Sequence, residues 1–111
     1  MNYPPALPAF WQPPKRYLHI AFNFPPVWAP MQTAVQNVIT ANALDWLRYA
    51  ANCWIVWTTE NSKQWADKFY AQVQGAREGS FLIVAIDISA TSDGWANFPQ
   101  WIWDWIRRYR S

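Results

Sequence analysis

Ten tryptophans share a chain of 111 residues with only nine basic and seven acidic side chains. A buried indole removes on the order of 150–250 Å² from water, so the fold has to bring large flat rings together. Few charges remain to cover what is left over. Charged residues make up 14% of the sequence, against about 25% in an ordinary soluble domain. Part of the tryptophan surface is therefore expected to face a second polypeptide, and a symmetric homodimer is the commonest arrangement that hides such surface.

The length suits one domain. A net charge of +2 is too small to imply nucleic-acid binding by itself, although the basic residues cluster. Lys15 and Arg16 adjoin, and Arg107, Arg108 and Arg110 crowd the other end. Cys53 is the only cysteine, which excludes an intrachain disulfide. It lies in an apolar run and reads as a buried structural thiol, in keeping with a reducing cytoplasm. No apolar run approaches the roughly 18–20 residues that span a bilayer. Met1 to Pro14 lacks a basic start followed by an apolar stretch, so no signal peptide is expected there.

Three pieces follow one another: a proline-rich arm over 1–15, a domain over 16–98 and a tryptophan-rich segment over 99–111. The arm holds Pro4, Pro5, Pro8, Pro13 and Pro14, which excludes helix and favours extended backbone. Its Tyr3, Leu7, Phe10 and Trp11 argue that it lies over the domain or over a partner. Residues 16–24 alternate as a strand does: Leu18, Ile20, Phe22 and Phe24 on one face, Tyr17, His19, Ala21 and Asn23 on the other. A helix is predicted over 31–43, with Ala34, Val35, Val38 and Ile39 on its buried side and Pro30 in its first turn. Residues 44–49 and 53–58 read as two strands around a turn at Ala50, Ala51 and Asn52. A second helix over 63–74 repeats Trp65, Phe69 and Val73, widened by Ala66 and Tyr70. Asn61 with Gln64 gives the spacing of a capping box, and Gly75 and Gly79 bracket the loop that follows. Residues 81–88 are apolar on both faces, the pattern of a central, covered strand. The last segment reads as a helix from Pro99 that groups Ile102, Trp105, Ile106 and Tyr109; a strand aligning Trp101, Trp103 and Trp105 is the alternative. Pro99 and the basic end favour the helix. Its projection is apolar nearly all round until Arg107, which argues for burial in protein rather than for a membrane surface.

The order strand, helix, strand, strand, helix, strand predicts an α+β domain: a ferredoxin-like βαββαβ antiparallel sheet with both helices on one face. Within that count of elements nothing covers the second face.

Chemistry-bearing residues are sparse. His19 is the only side chain with an ordinary pKa near neutrality, and a lone strand histidine is more often packed than catalytic. Asp87 sits near a strand end. With Asp45 or Asp93 it makes no spaced metal-ligand cluster, and hydrogen bonding or a turn cap is the commoner role. His19 and Asp87 are the weak catalytic candidates. Lys15, Arg16, Arg107, Arg108 and Arg110, interleaved with aromatic rings, are the candidates for single-stranded nucleic acid, beside the plainer reading of solvated ends. Trp95, Trp101, Trp103 and Trp105 are the candidate interface, for a second copy or for a partner protein. No glycine-rich phosphate loop, zinc spacing, Gly-x-Ser-x-Gly or His-Glu-x-x-His is present, and neither cofactor nor metal is expected.

Tyr17-Leu-His-Ile-Ala-Phe-Asn23, Trp46-Leu-Arg-Tyr49 leading into Cys53-Trp-Ile-Val56, Phe81-Leu-Ile-Val-Ala-Ile86 and Trp95 together resemble the small ferredoxin-fold proteins around the CRISPR adaptation nucleases and the VapD-type toxins. The nearest likeness is to short bacterial and phage proteins termed SinR-like. It covers about residues 16–98 and rests on hydrophobic patterns. The resemblance implies a homodimer built by pairing sheets or their edges and, for active members, cleavage of RNA or DNA with a divalent metal held at the dimer interface by an aspartate at the end of the first strand. Asn23 stands at the matching position, and an amide cannot supply the anionic oxygen that Mg²⁺ prefers. The adaptation proteins also serve as a scaffold for DNA and an integrase, a role that needs basic surface and no metal. The expectation is therefore a cytoplasmic, homodimeric, non-catalytic binding or scaffold protein. A metal-dependent nuclease and a single-stranded nucleic-acid-binding protein stand as alternatives.

Overall fold

The alternation of the first strand decides the architecture, because both of its faces need cover. The computed structural model describes residues 14–24, 29–88 and 94–110. Within them, β1 (Arg16–Asn23), α1 (Ala29–Asn42), β2 (Asp45–Ala50), β3 (Cys53–Thr58), α2 (Ser62–Gln72), β4 (Ser80–Ile86) and α3 (Gln100–Arg107) follow in order. The strands form one antiparallel sheet in the order β2-β3-β1-β4. The fold is thus α+β, a four-stranded antiparallel sheet with three helices. The arm over 1–13 lies outside the described residues.

The first sheet face carries Leu18, Ile20 and Phe22 of β1 beside Trp54 and Val56 of β3. Met31, Val35, Val38 and Ile39 of α1, with Trp65 and Phe69 of α2, close over them in one core. Val35, Val38 and Ile39 of α1 and Trp65 and Phe69 of α2 are the stripes read from the sequence; Met31 joins them, Ala34 packs at their border, and Tyr70 is exposed. Fully burying a side chain of this kind gains about 1.5–3 kcal/mol, so this core holds the domain together. Phe22 anchors its aromatic centre, stacked on Phe24 and Phe81 and meeting Phe69 edge-on, with ring centroids 4.9–5.5 Å apart.

The two fully buried indoles of this core have partners. The Trp65 indole N–H donates to Thr58 Oγ1 at 3.1 Å, and the same oxygen accepts from the Glu60 amide at 3.0 Å. The Trp54 indole donates to Gln36 Oε1 at 3.0 Å. The capping box at α2 is complete: Asn61 Oδ1 accepts from the Gln64 amide and Gln64 Oε1 from the Asn61 amide, each at 2.8 Å. After α2 the chain turns through Gly75 at φ 89°, a left-handed conformation that an L side chain resists.

One expectation is corrected. Residues 80–86 do not form a central covered strand: β4 is the outer strand next to β1, and Leu82 and Val84 are 57% and 43% exposed. An apolar run marks both faces as uncharged, but it does not say that both are covered. The second sheet face, which the six elements of the βαββαβ order leave without cover, is met at one end by the tryptophan-bearing α3.

Thr58 is 1% exposed and is the acceptor for a buried indole. Thr58→Val keeps the shape and removes that acceptor, so it should cost about 1–3 kcal/mol in urea unfolding, with Thr58→Ser close to wild type. Equal stability of the valine variant would refute the role.

Candidate interaction surface

The second face carries Tyr17, His19 and Ala21 of β1, Cys53, Ile55 and Trp57 of β3, Leu47 of β2, and Leu82, Val84 and Ile86 of β4. Ile102 and Trp105 of α3 bury against Leu47 and Ile55, ringed by Tyr17, Tyr49, Ile86, Ile88, Phe98 and Ile106. The 99–109 segment is thus helical, and Pro99 occupies its N-cap. Its projection is not apolar all round in practice: Gln100, Trp101, Asp104 and Arg107 form the exposed side, and Tyr109 lies past the helix, 88% exposed.

Arg110 straps the helix down. Its Nε donates to Asp45 Oδ2 at 3.0 Å and its Nη1 to the Tyr17 hydroxyl at 3.1 Å. The guanidinium lies 3.9 Å from the Trp105 ring centroid, and the side chain is 6% exposed. Planar guanidinium suits both tasks at once, paired hydrogen bonding and stacking. Asp45 also draws Arg108, at 3.7 Å.

The candidate interface tryptophans separate sharply. Trp105 is buried at 6% in the chain's own second core. Trp103 is half-buried between Phe98 and the Arg107 guanidinium. Trp101 is 56% exposed and Trp95 97%. Of the basic candidates, Arg110 is enclosed and Arg16 half-buried, while Lys15, Arg107 and Arg108 stand exposed. The Tyr17–Arg110 contact draws the start of β1 and the segment after α3 into one region.

His19 Nε2 and the Tyr49 hydroxyl are hydrogen-bonded partners across the second face. Burial holds the His19 pKa below its ordinary 6.5, so the ring is neutral at pH 7. Burial also pushes the Tyr49 phenol up to about 12, and the neighbouring Cys53 thiol adds to the rise. A neutral histidine bonded to a neutral phenol packs well and makes a poor base. Asn23 lies four residues from His19, about 13 Å of strand at roughly 3.3 Å per residue, so the two do not converge. Asp87 follows β4 on the exposed side, and Asp93 lies outside the described residues. Among the described residues no group of three or more His, Cys, Asp or Glu side chains is placed to hold a metal ion, and no helix is long and apolar enough to cross a membrane.

Sequence reasoning missed the open part of this face, where Leu82 and Val84 meet solvent. The signal was present: the predicted element order carries a fourth strand with one neighbour. Comparison of the chain with protein-family models, with curated proteins and with solved structures gives no match.

Two outcomes follow. Arg110→Ala removes charge-assisted hydrogen bonds of about 1.5–3 kcal/mol. Amide exchange in α3 should rise roughly ten- to a hundredfold, while α1 and α2 keep their protection; unchanged exchange in α3 would refute the strap. The second concerns pH. The unfolded chain binds a proton at His19 more readily than the folded one, so stability present above pH 6.5 is lost as the pH falls through the folded pKa. Tyr49 acts at the other end, where stability is lost as the pH rises from 10 toward 12. Urea midpoints should fall on both sides of that window, less steeply in His19→Gln on the acid side and in Tyr49→Phe on the alkaline side.

Proposed function

We propose that this chain is a non-catalytic binding or scaffold module that acts as a homodimer in the cytoplasm through tryptophan-bearing apolar surface. Its domain is read as ferredoxin-like and of the SinR-like kind. The β-α-β-β-α-β succession supports the fold reading, with the first and third strands neighbours at the centre of the sheet.

One observation carries the functional reading. Trp95 and Trp101 remain 97% and 56% exposed in a chain that has buried Trp54, Trp65 and Trp105 completely or nearly so. Indole left in water at that level is a contact anchor in waiting, since aromatic anchors dominate the energy of protein interfaces. The described residues around His19 offer packing in place of acid–base chemistry, which fits the absence of catalytic motifs.

The test is the mass in solution of the wild-type chain and of Trp95→Ser/Trp101→Ser. Wild type should have twice the chain mass, and the double variant should weaken the dimer by at least roughly tenfold, about 1.4 kcal/mol. A monomeric wild-type protein would overturn the reading. Single-stranded nucleic acid is the second reading, favoured by the exposed Arg107 and Arg108 on the same segment as the exposed Trp101 and Tyr109. It requires binding of labelled oligonucleotide that falls steeply with salt, and the same double variant would reduce it.

A further inference from the structure

Half of the second sheet face has no cover among the described residues. α3 packs on the end that holds Leu47 and Ile55, while Leu82 and Val84 of β4 stay 57% and 43% exposed. Ala21 and His19 are their partners on β1, so this half holds no charged side chain. Pro14 and Lys15 lead into the Arg16 end of β1, where Tyr17 pairs with Ile86. The chain ahead of them, residues 1–13, has no charged side chain either and contains Pro4, Pro5, Pro8 and Pro13. Proline at this density favours polyproline II, a left-handed helix of about three residues per turn. That period divides the arm into three edges. Pro4, Leu7, Phe10 and Pro13 share one, Pro5, Pro8, Trp11 and Pro14 the next, and Tyr3, Ala6, Ala9 and Gln12 the third. Two adjoining edges are wholly apolar, and the third carries the small side chains and the glutamine.

We infer that the open half of the second face is a docking site for a polyproline II segment, and that its occupant is residues 3–13 of the same chain, apolar edges inward and the Ala6–Ala9 edge to solvent. The inference goes beyond the homodimer reading and does not depend on it. The lengths agree. Val84 and Leu82 lie level with His19 and Ala21, about 10 and 17 Å along β1 from Arg16 at roughly 3.3 Å per residue. With the chain reversing at Lys15, Phe10 and Leu7 lie about 12 and 22 Å from Pro14 at roughly 3.1 Å per residue, and so bracket the two exposed side chains. Proline has no N–H to give a sheet ladder, so the arm lies across the face and does not extend the sheet. Its carbonyls are unpaired. Where it enters, Trp105 Nε1 is buried with no acceptor among the described residues, and Trp105 meets Tyr17 at 6.1 Å between ring centroids. A groove beside β4 on the α2 side takes Ser62 and Lys63 into its lining and suits an uncharged arm less well. Docking of a proline-rich segment loses little backbone freedom, which is why aromatic-bearing surfaces bind such segments. The Pro14–Lys15 tether adds an effective concentration on the order of millimolar, an advantage that the same segment of another molecule lacks.

The experiment uses the full chain in a Cys53→Ser background. Leu82→Cys reports cover through its rate of thiol alkylation. Leu7→Ser/Phe10→Ser should raise that rate roughly tenfold or more, while Ala6→Ser/Ala9→Ser, on the solvent edge, should leave it unchanged. The arm lies outside both cores, so an unaltered urea midpoint of the domain core separates lost docking from lost folding. In a second arm of the experiment, Phe10→Cys/Val84→Cys should close a disulfide within one chain under mild oxidation, at the mass of a single chain. Phe10→Cys/Ala71→Cys, with the second thiol on exposed α2, should stay reduced. An alkylation rate that the Leu7/Phe10 pair does not change, or that both serine pairs raise alike, overturns docking through the apolar edges. A Phe10–Val84 disulfide found only at twice the chain mass puts the arm on another copy and overturns the placement on its own chain.

Discussion

Two central strands that must be covered on both sides set the terms for everything else in this chain. β1 and β3 lie inside the sheet, and their alternating side chains are apolar or aromatic in both directions. On the first face, α1 and α2 supply fourteen and eleven residues of helix, enough to close a continuous core from Phe22 to Leu18. On the second face the cover among the described residues is α3 alone. Eight residues of helix span about 12 Å at 1.5 Å per residue, whereas eight residues of β1 span about 26 Å. A cover of half the length can shield only half the face. It sits where Tyr17, Leu47 and Ile55 are, and leaves Ala21, Leu82 and Val84 beyond its reach. The open half-face is therefore a consequence of helix length rather than of any single exposed residue.

Arginine explains how so few charges hold so many rings. Arg48 lies 4.6 Å from the Trp54 ring, Arg77 4.5 Å from Tyr70, Arg107 5.4 Å from Trp103 and Arg110 3.9 Å from Trp105. Such contacts contribute about 0.5–1 kcal/mol at the surface and about 2 or more when desolvated, so Arg110, enclosed beside Asp45, belongs to the stronger kind. A guanidinium laid on a ring also shields that ring from water. The basic residues that look in the sequence like a solvated or phosphate-seeking tail are in this respect part of the packing. That is why the C-terminal cluster divides into one enclosed arginine and two exposed ones.

Local signals carried the elements and did not carry the assembly. The alternation of Leu18, Ile20 and Phe22, the stripe of Trp65 and Phe69, and the Asn61–Gln64 cap each depend on neighbours within a few positions, and each is where the sequence places it. Helix over strand for Gln100–Arg107 was legible from Pro99 and the basic end. The Arg110–Asp45 pair spans 65 residues and the His19–Tyr49 pair 30, and no spacing rule reaches so far. The misreading of β4 has a different cause. An apolar strand is apolar on both faces whether it is covered by its own chain or by another one, so composition cannot separate a central strand from an edge awaiting a partner.

That ambiguity turns the misreading into evidence. A chain under no pressure to associate gains by placing a lysine or a proline on its outermost strand, because the edge is otherwise open to any passing strand. β4 keeps instead a composition suited to burial, in a protein whose opposite outer strand, β2, does carry charge, with Asp45 and Arg48 among its six residues. The two edges of one sheet are thus treated differently: one is marked polar and tied to the Arg110 strap, and the other is left apolar beside a groove. Chance exposure would not follow that division. The asymmetry is what a sheet needs if it is to grow in one direction and stop in the other.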